Sequence, residues 1–203
     1  MIELLQKGGF IMAIIVLLSL VGTIIIIERL LYFRKIRVDE ERMIGELKSA
    51  LEKGHFDEAI EICESNPAPI ANLMKVGIEH RNYSELEIKE SILNAANLEI
   101  PRLERFLPAL GTVAHIAPLL GLLGTVTGNI AAFGVLGQFA AGGDPRALAN
   151  GIAEALITTA AGIVVAVPAI IFYNQLVSMV NHIIIRLENR VGELVLLLKG
   201  RQI

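Results

Sequence analysis

The 203-residue chain is 54% hydrophobic, only 5% aromatic and without tryptophan, and its mean hydropathy of +0.60 is too high for an ordinary soluble domain. A net charge of -3, with the basic residues gathered at segment ends and no aromatic-laced basic patch, gives no sign of a nucleic-acid surface. A single cysteine, Cys63, rules out an internal disulfide, and within "EAIEICESNP" it reads as a small buried hydrophobe on a helix face.

The first candidate span runs from Phe10 to Ile27, "FIMAIIVLLSLVGTIIII", without a charge and close to the ~20 residues that cross ~30 Å of hydrocarbon. No small-x-small cleavage site follows the apolar run, so a retained helix is expected in place of a signal peptide. Residues 1–33 therefore form an N-terminal flank and first transmembrane helix.

Residues 34–105 read as a cytoplasmic helical segment. "VDEERMIGELKSALEKG" offers Asp39 as N-cap, Met43, Ile44, Leu47 and Leu51 at helical spacing, and Gly54 as a stop. "FDEAIEICESNP" repeats the logic with Asp57 as cap and an end before Pro67. "SELE", Ser84 to Glu87, is a capping box, and the helical pattern beyond it runs toward the second span, with Pro101 and Pro108 expected to kink or interrupt it. Two weak helical units are too few for a tetratricopeptide-like array.

Residues 106–143 carry no formal charge, and in residues 147–185 only Glu154 is charged. Both stretches exceed the apolar core of a bilayer, so long helices are expected to extend beyond it. Between them "GQFAAGGDPRA" has the Gly and Asp-Pro signals of a turn. Residues 106–180 thus make an antiparallel transmembrane hairpin, and residues 181–203 a cytoplasmic C-terminal helix. Arg29, Arg34, Lys35 and Arg37 follow the first span, Arg102 and Arg105 precede the second, and Arg186, Arg190, Lys199 and Arg201 follow the third. Only Lys7 and Arg146 lie on the other side, so the N-terminus is expected outside and the C-terminus in the cytoplasm.

The hairpin holds the candidate site. A charge near the bilayer centre costs ~3 kcal/mol on insertion scales, which makes Glu154 a functional candidate by default. With Gly142 as the centre of the turn, Thr125 and Thr159 should sit at similar depth, ~25 Å along the helix from the tip, with Glu154 five residues nearer the tip than Thr159. A threonine in a membrane helix most often bonds its own backbone carbonyl, so each hydroxyl also has a purely structural reading. "GTVTG", Gly124 to Gly128, says close helix packing and nothing more. His115 reads as a packing residue, since no second metal ligand lies at suitable spacing. Pro118 and Pro168 should bend their helices and free carbonyls. No metal and no cofactor are expected. An enzyme is not expected either, because threonine with one distant glutamate supplies neither a nucleophile with its base nor a metal set.

"APLLGLLGTVTGNIAAF", Ala117 to Phe133, together with "GIAEALITTAAGIVVAVPAIIFYN", Gly151 to Asn174, resembles the paired signature of the TolQ/ExbB family, relatives of the flagellar stator subunit MotA. MotA itself is expected to have four spans, and this chain has three, which disfavours a flagellar-stator-like relative. The resemblance implies an all-α protein of the bacterial inner membrane, a homo-oligomeric ring, pentameric, around a single-span partner of the ExbD or TolR type. It implies a proton-motive-force-driven motor subunit that passes work to the cell envelope, through a TonB- or TolA-type envelope-spanning protein. Glu154 matches the family's pore glutamate, and Thr125 and Thr159 match the threonines that face the partner's titrating aspartate. In such a ring a circle of carboxylates could exchange protons, and hydroxyls could pass them without adding charge. The small residues Gly121, Gly124, Gly128, Ala160, Ala161 and Gly162 would permit the close helix contacts a ring needs. A non-conducting membrane scaffold is the competing class, and it leaves Glu154 unexplained.

Overall fold

A computed structural model describes residues 9–36, 40–138 and 145–198. Among them the chain forms seven helices and no strand: α1 (Gly9–Lys35), α2 (Glu40–Glu52), α3 (Phe56–Glu64), α4 (Pro69–Glu79), α5 (Glu85–Leu103), α6 (Leu107–Gln138) and α7 (Pro145–Leu198). Three stretches are long and apolar enough to cross a membrane by length and composition: Gly9–Lys35, Glu85–Gly134 and Leu148–Glu193, with mean hydropathies of 3.1, 1.8 and 2.4. In hydrocarbon every backbone N–H and C=O must be satisfied within the segment, which a helix alone achieves for a single span. The protein is thus an all-α, multi-pass membrane protein. Of the turn expected over "GQFAAGGDPRA", residues 139–144 lie outside the described residues, as do the N-cap Asp39 and the basic residues Lys7, Arg37, Lys199 and Arg201, while Gln138 ends α6 and Pro145 begins α7.

The chain divides into two compact units. In the first, which joins the described parts of Met1–Glu28 and Phe106–Leu176, the core includes Ile15, Leu110 and Leu176 together with six buried alanines, Ala114, Ala117, Ala132, Ala155, Ala166 and Ala169. Along α6 and α7 the helices therefore meet largely through small side chains. The large apolar side chains point outward instead: Leu17, Leu20 and Ile24 on α1, Leu122 and Ile130 on α6, and Val164 on α7 are all exposed. That inversion of the soluble pattern fits a surface covered by lipid or by another membrane helix.

The second unit contains Arg29–Arg105 and the described part of Val177–Ile203. Its short helices pack in chain order, α2 on α3, α3 on α4 and α4 on α5, around Met43, Leu47, Cys63, Leu73, Ile78 and Ile88. Here large apolar side chains point inward as in a water-soluble bundle, while Leu86 and Leu98 on α5 are exposed. Gly54 ends the turn after α2 at φ +75, a left-handed conformation that glycine takes without strain. The capping box forms as read: Ser84 Oγ accepts from the Glu87 N–H, and the Glu87 carboxylate accepts from the Ser84 N–H at 2.9 Å.

Three local readings are corrected. The residue that caps α3 is His55, without a side-chain cap bond, and Asp57 lies inside the first turn, where its charge meets the positive end of the helix dipole. Pro101 does not interrupt α5, which continues to Leu103. The break falls at Phe106, a non-glycine residue at φ 64, after which Pro108 sits in the first turn of α6, where its missing N–H is harmless. Finally, α4 was absent from the sequence reading altogether. Pro118 and Pro168 lie inside α6 and α7, which continue through them. Because proline lacks an N–H, the carbonyls of Ala114 and Val164 lose their usual helical donors.

Candidate functional site

The site is built on the contact between α6 and α7. Its register follows from how closely the backbones approach. A Cβ added at Gly128 would lie 2.8 Å from Ala155 Cβ, one at Gly121 3.0 Å from Thr159 Cα, and one at Gly162 2.6 Å from Ala117 O. A Cβ at Gly124 would collide with the Thr158 side chain, and one at Gly151 would lie 2.9 Å from Ala132 Cβ. These pairs define an antiparallel seam in which glycine on one helix receives a small residue of the other.

The three polar candidates lie along this seam in different settings. Thr159 Oγ1 donates across the helices to the Gly121 carbonyl at 2.7 Å. That is an interhelical bond, in contrast to the own-helix bond a membrane threonine usually makes. Thr125 Oγ1 does make the own-helix bond, to the Leu122 carbonyl at 2.6 Å. Thr125 and Thr159 do not pair at one level: Thr159 lies against Gly121, one turn before Thr125 on α6, and Thr158 lies against Gly124. The register is therefore displaced slightly from a turn centred on Gly142, as expected if the connection does not divide evenly between the helices.

Glu154 is half-buried on α7, one turn before Thr158. Thr158 is only 2% exposed, and its hydroxyl donates to the Glu154 backbone carbonyl at 2.9 Å. The Glu154 carboxylate itself lies beside the amino end of α1, where a Cβ added at Gly9 would be 3.4 Å from Glu154 Oε1. No cation or side-chain donor among the described residues closes on it. His115 Nδ1 meets the Gly111 carbonyl of its own helix at 2.6 Å. Among the described residues no three His, Cys, Asp or Glu side chains gather closely enough to hold a metal ion.

Two polar features escaped the sequence reading. Thr158 could have been found from "ITTAAG", where two adjacent hydroxyls must face different sides of one helix, one of them four residues after Glu154. Glu99, in the second unit, is 5% exposed. It accepts from Asn72 Nδ2 and from Arg102 Nη1, both at 2.8 Å. Arg29 in the same unit is 2% exposed, donating to the Arg102 carbonyl at 3.2 Å with its guanidinium 4.6 Å from the centre of the Tyr32 ring. These are buried charges satisfied by hydrogen bonds and cation–π contact, the usual condition for burying them.

Comparison with known proteins places the chain. A protein named as a biopolymer transport protein ExbB homolog from Methanothermobacter thermautotrophicus is 33% identical over 190 residues, covering 92% of this chain and 66% of that one. An ExbB-like protein of Synechocystis is 34% identical over 176 residues, covering 85% of this chain and 69% of its own. The Tol-Pal system protein TolQ of Haemophilus influenzae is 47% identical over 89 residues, covering 44% of this chain and 39% of its own. The chain thus spans about two thirds of the length of the first two relatives. Residues 65–189 match the MotA/TolQ/ExbB proton channel family, a stretch that contains the whole α6–α7 seam with Glu154, Thr125 and Thr159, and the chain belongs to that family.

Proposed function

We propose that the protein is the ring-forming subunit of a proton-driven motor in a bacterial inner membrane, with its N-terminus periplasmic and its C-terminus cytoplasmic. Five copies surround the single membrane helix of an ExbD- or TolR-type partner. Protons crossing between the ring and a titrating group on that helix drive the work delivered to the envelope, in biopolymer transport or in Tol-type envelope maintenance, through a TonB- or TolA-type protein. The protein makes and breaks no covalent bond and needs no cofactor.

The observation that carries this reading is Glu154. It is the one formal charge in residues 147–185, half-buried on α7, one turn before the hydroxyls of Thr158 and Thr159, groups that can both donate and accept. A structural strut would have little reason to be an ionisable group at such cost. A ring also accounts for the exposed apolar faces and for the family match at residues 65–189.

The test has two parts. Glu154→Gln keeps shape but removes titration, so it should insert and assemble yet abolish proton-driven work in a deletion strain. Thr159→Val removes the bond to Gly121 and should weaken that work without dissolving the ring, since a membrane-helix hydrogen bond contributes only ~0.6 kcal/mol. Native mass spectrometry from mild detergent should give a pentamer for each. Full activity of the Glu154→Gln protein would make the carboxylate a packing group and leave the scaffold reading standing. A stable monomer would sink the ring.

A further inference from the structure

A groove of about 800 Å3 lies wholly within the second unit, and it belongs to none of the proton chemistry above. One wall is the end of α1, with Leu30, Phe33 and Arg34. The opposite wall is α7, with Met179, His182, Ile183, Arg186 and Arg190, and the amino end of α4 at Ala68, Pro69 and Ile70 closes the third side. Both long walls lie where an apolar run gives way to basic residues: α1 passes from its isoleucines to Arg34, and α7 from Met179 to Arg186. In a membrane-spanning chain such a transition sits at headgroup depth.

The charged side chains that line the groove are basic, one of them, Arg190, being paired with Glu193. Three arginines and a histidine line it, and no carboxylate does. Arg186 Nε donates to the His182 carbonyl at 3.4 Å. A guanidinium has five donors in a fixed fork suited to phosphate oxygens, and Arg34 brings one to the wall opposite Arg186 and Arg190. The amino end of α4 adds a partial positive charge on the third side. Phe33, Met179 and Ile183 supply an apolar continuation of the same cavity. Paired with the arginines, they make a site basic at one end and apolar at the other.

We propose that this groove seats an anionic phospholipid of the surrounding leaflet, with its phosphate among Arg34, Arg186 and Arg190 and its acyl chains along Phe33, Met179 and Ile183. Basic pockets between membrane helices at the headgroup level bind anionic lipids for this reason. A free phosphate would use the arginines but not the apolar wall, and a zwitterionic lipid would use the wall but gain less from the charge. The inference is independent of the proton role of Glu154, because the groove holds neither that residue nor its neighbours.

The full-length protein reconstituted in nanodiscs with equal parts phosphatidylglycerol and phosphatidylcholine supplies the test, with the lipids retained on the protein read by native mass spectrometry. Phosphatidylglycerol should be enriched over phosphatidylcholine on the wild type. The variant carrying Arg34→Gln, Arg186→Gln and Arg190→Gln should lose that enrichment by about tenfold, with its oligomer mass unchanged. Ile183→Trp fills the apolar end and leaves every arginine in place, and it should also lower retention. Equal enrichment in the wild type and the triple variant would overturn the proposal. Displacement of the lipid by inorganic phosphate would overturn it in favour of a free anion, and a fall in oligomer mass in the triple variant would overturn it in favour of a contact between copies.

Discussion

At one position a single methyl group decides how closely α6 and α7 approach. A Cβ at Gly162 would sit 2.6 Å from the Ala117 carbonyl, backbone that cannot yield without moving a helix. Gly162→Ala should therefore destabilise the purified protein by about 1–3 kcal/mol. Gly192→Ala, on the same helix with nothing within 4 Å of the added atom, should be neutral or stabilise by up to about 1 kcal/mol through helix propensity. Equal thermal midpoints for the two variants would show that the seam is loose. Cys63 gives a second prediction at this scale. Burial holds its thiol up at about 11, against the partial opposition of Lys75, so at pH 8 it should react with N-ethylmaleimide far more slowly when folded than when unfolded. The folded value lies above the ordinary 9.0, so the stabilisation from keeping the thiol neutral is complete below pH 9 and lost as pH rises through about 11. Of the site residues, Glu154 was legible because one charge in an apolar run is visible in one dimension. Its position beside Gly9 was not, because that approach joins residues far apart in sequence and depends on how α1 packs.

The second unit shows which elements announce themselves. The start of α5 could be read letter by letter from "SELE", because a capping box is a local exchange of hydrogen bonds. That exchange makes a pH prediction. The hydrogen bonds from Ser84, side chain first and then backbone, hold the Glu87 carboxyl below its ordinary 4.5. Its contribution is therefore present above pH 4.5 and lost as pH falls through the lowered value. The protection factors of the amides at the start of α5, taken against intrinsic exchange at each pH, should fall between neutral pH and about pH 3, and Ser84→Ala should show the lower factors already at neutral pH. Unchanged protection in both would mean that packing of Ile88 and Ile92, both fully buried, holds the helix end without its cap. By contrast α4 gave no such signal. Its N-cap, Ala68, has no capping side chain, and its first residue is Pro69 in "SNPAPI", a string that reads as a breaker. Proline at the first helical position is permitted because the N–H it lacks would have no partner there. The helix is held by burial of Ile70, Leu73, Met74 and Ile78, a tertiary cause. Phe106 marks the opposite failure: two prolines drew attention as breakers, and the chain broke at a phenylalanine with positive φ. At φ 64 a bulky side chain is strained, so Phe106→Gly should stabilise the junction by roughly 1 kcal/mol if its ring contacts contribute little, and a lower thermal midpoint would show that they outweigh the strain.

For the whole molecule, the three spans were legible from hydropathy because lipid imposes one rule on every residue it touches. Their assembly was not, because the faces that bind lipid and the faces that bind another helix have the same composition. Orientation rests on a different asymmetry. Arg29, Arg34 and Lys35 end α1, Arg102 and Arg105 precede α6, and Arg186 and Arg190 follow the apolar part of α7, whereas near the start of α7 the basic residue among the described ones is Arg146. On the proposed orientation these basic clusters share one side of the membrane, the cytoplasmic side that retains lysine and arginine in short loops. The expected outcome is specific to two positions. In a Cys63→Ala background, a cysteine replacing the exposed Arg146 should react with a membrane-impermeant maleimide added to intact spheroplasts. One replacing the exposed Lys89, on α5, should react only after the membrane is opened. Labelling of the Lys89 position alone in intact spheroplasts would reverse the orientation, and it would place the mouth of the Glu154 seam on the cytoplasmic side.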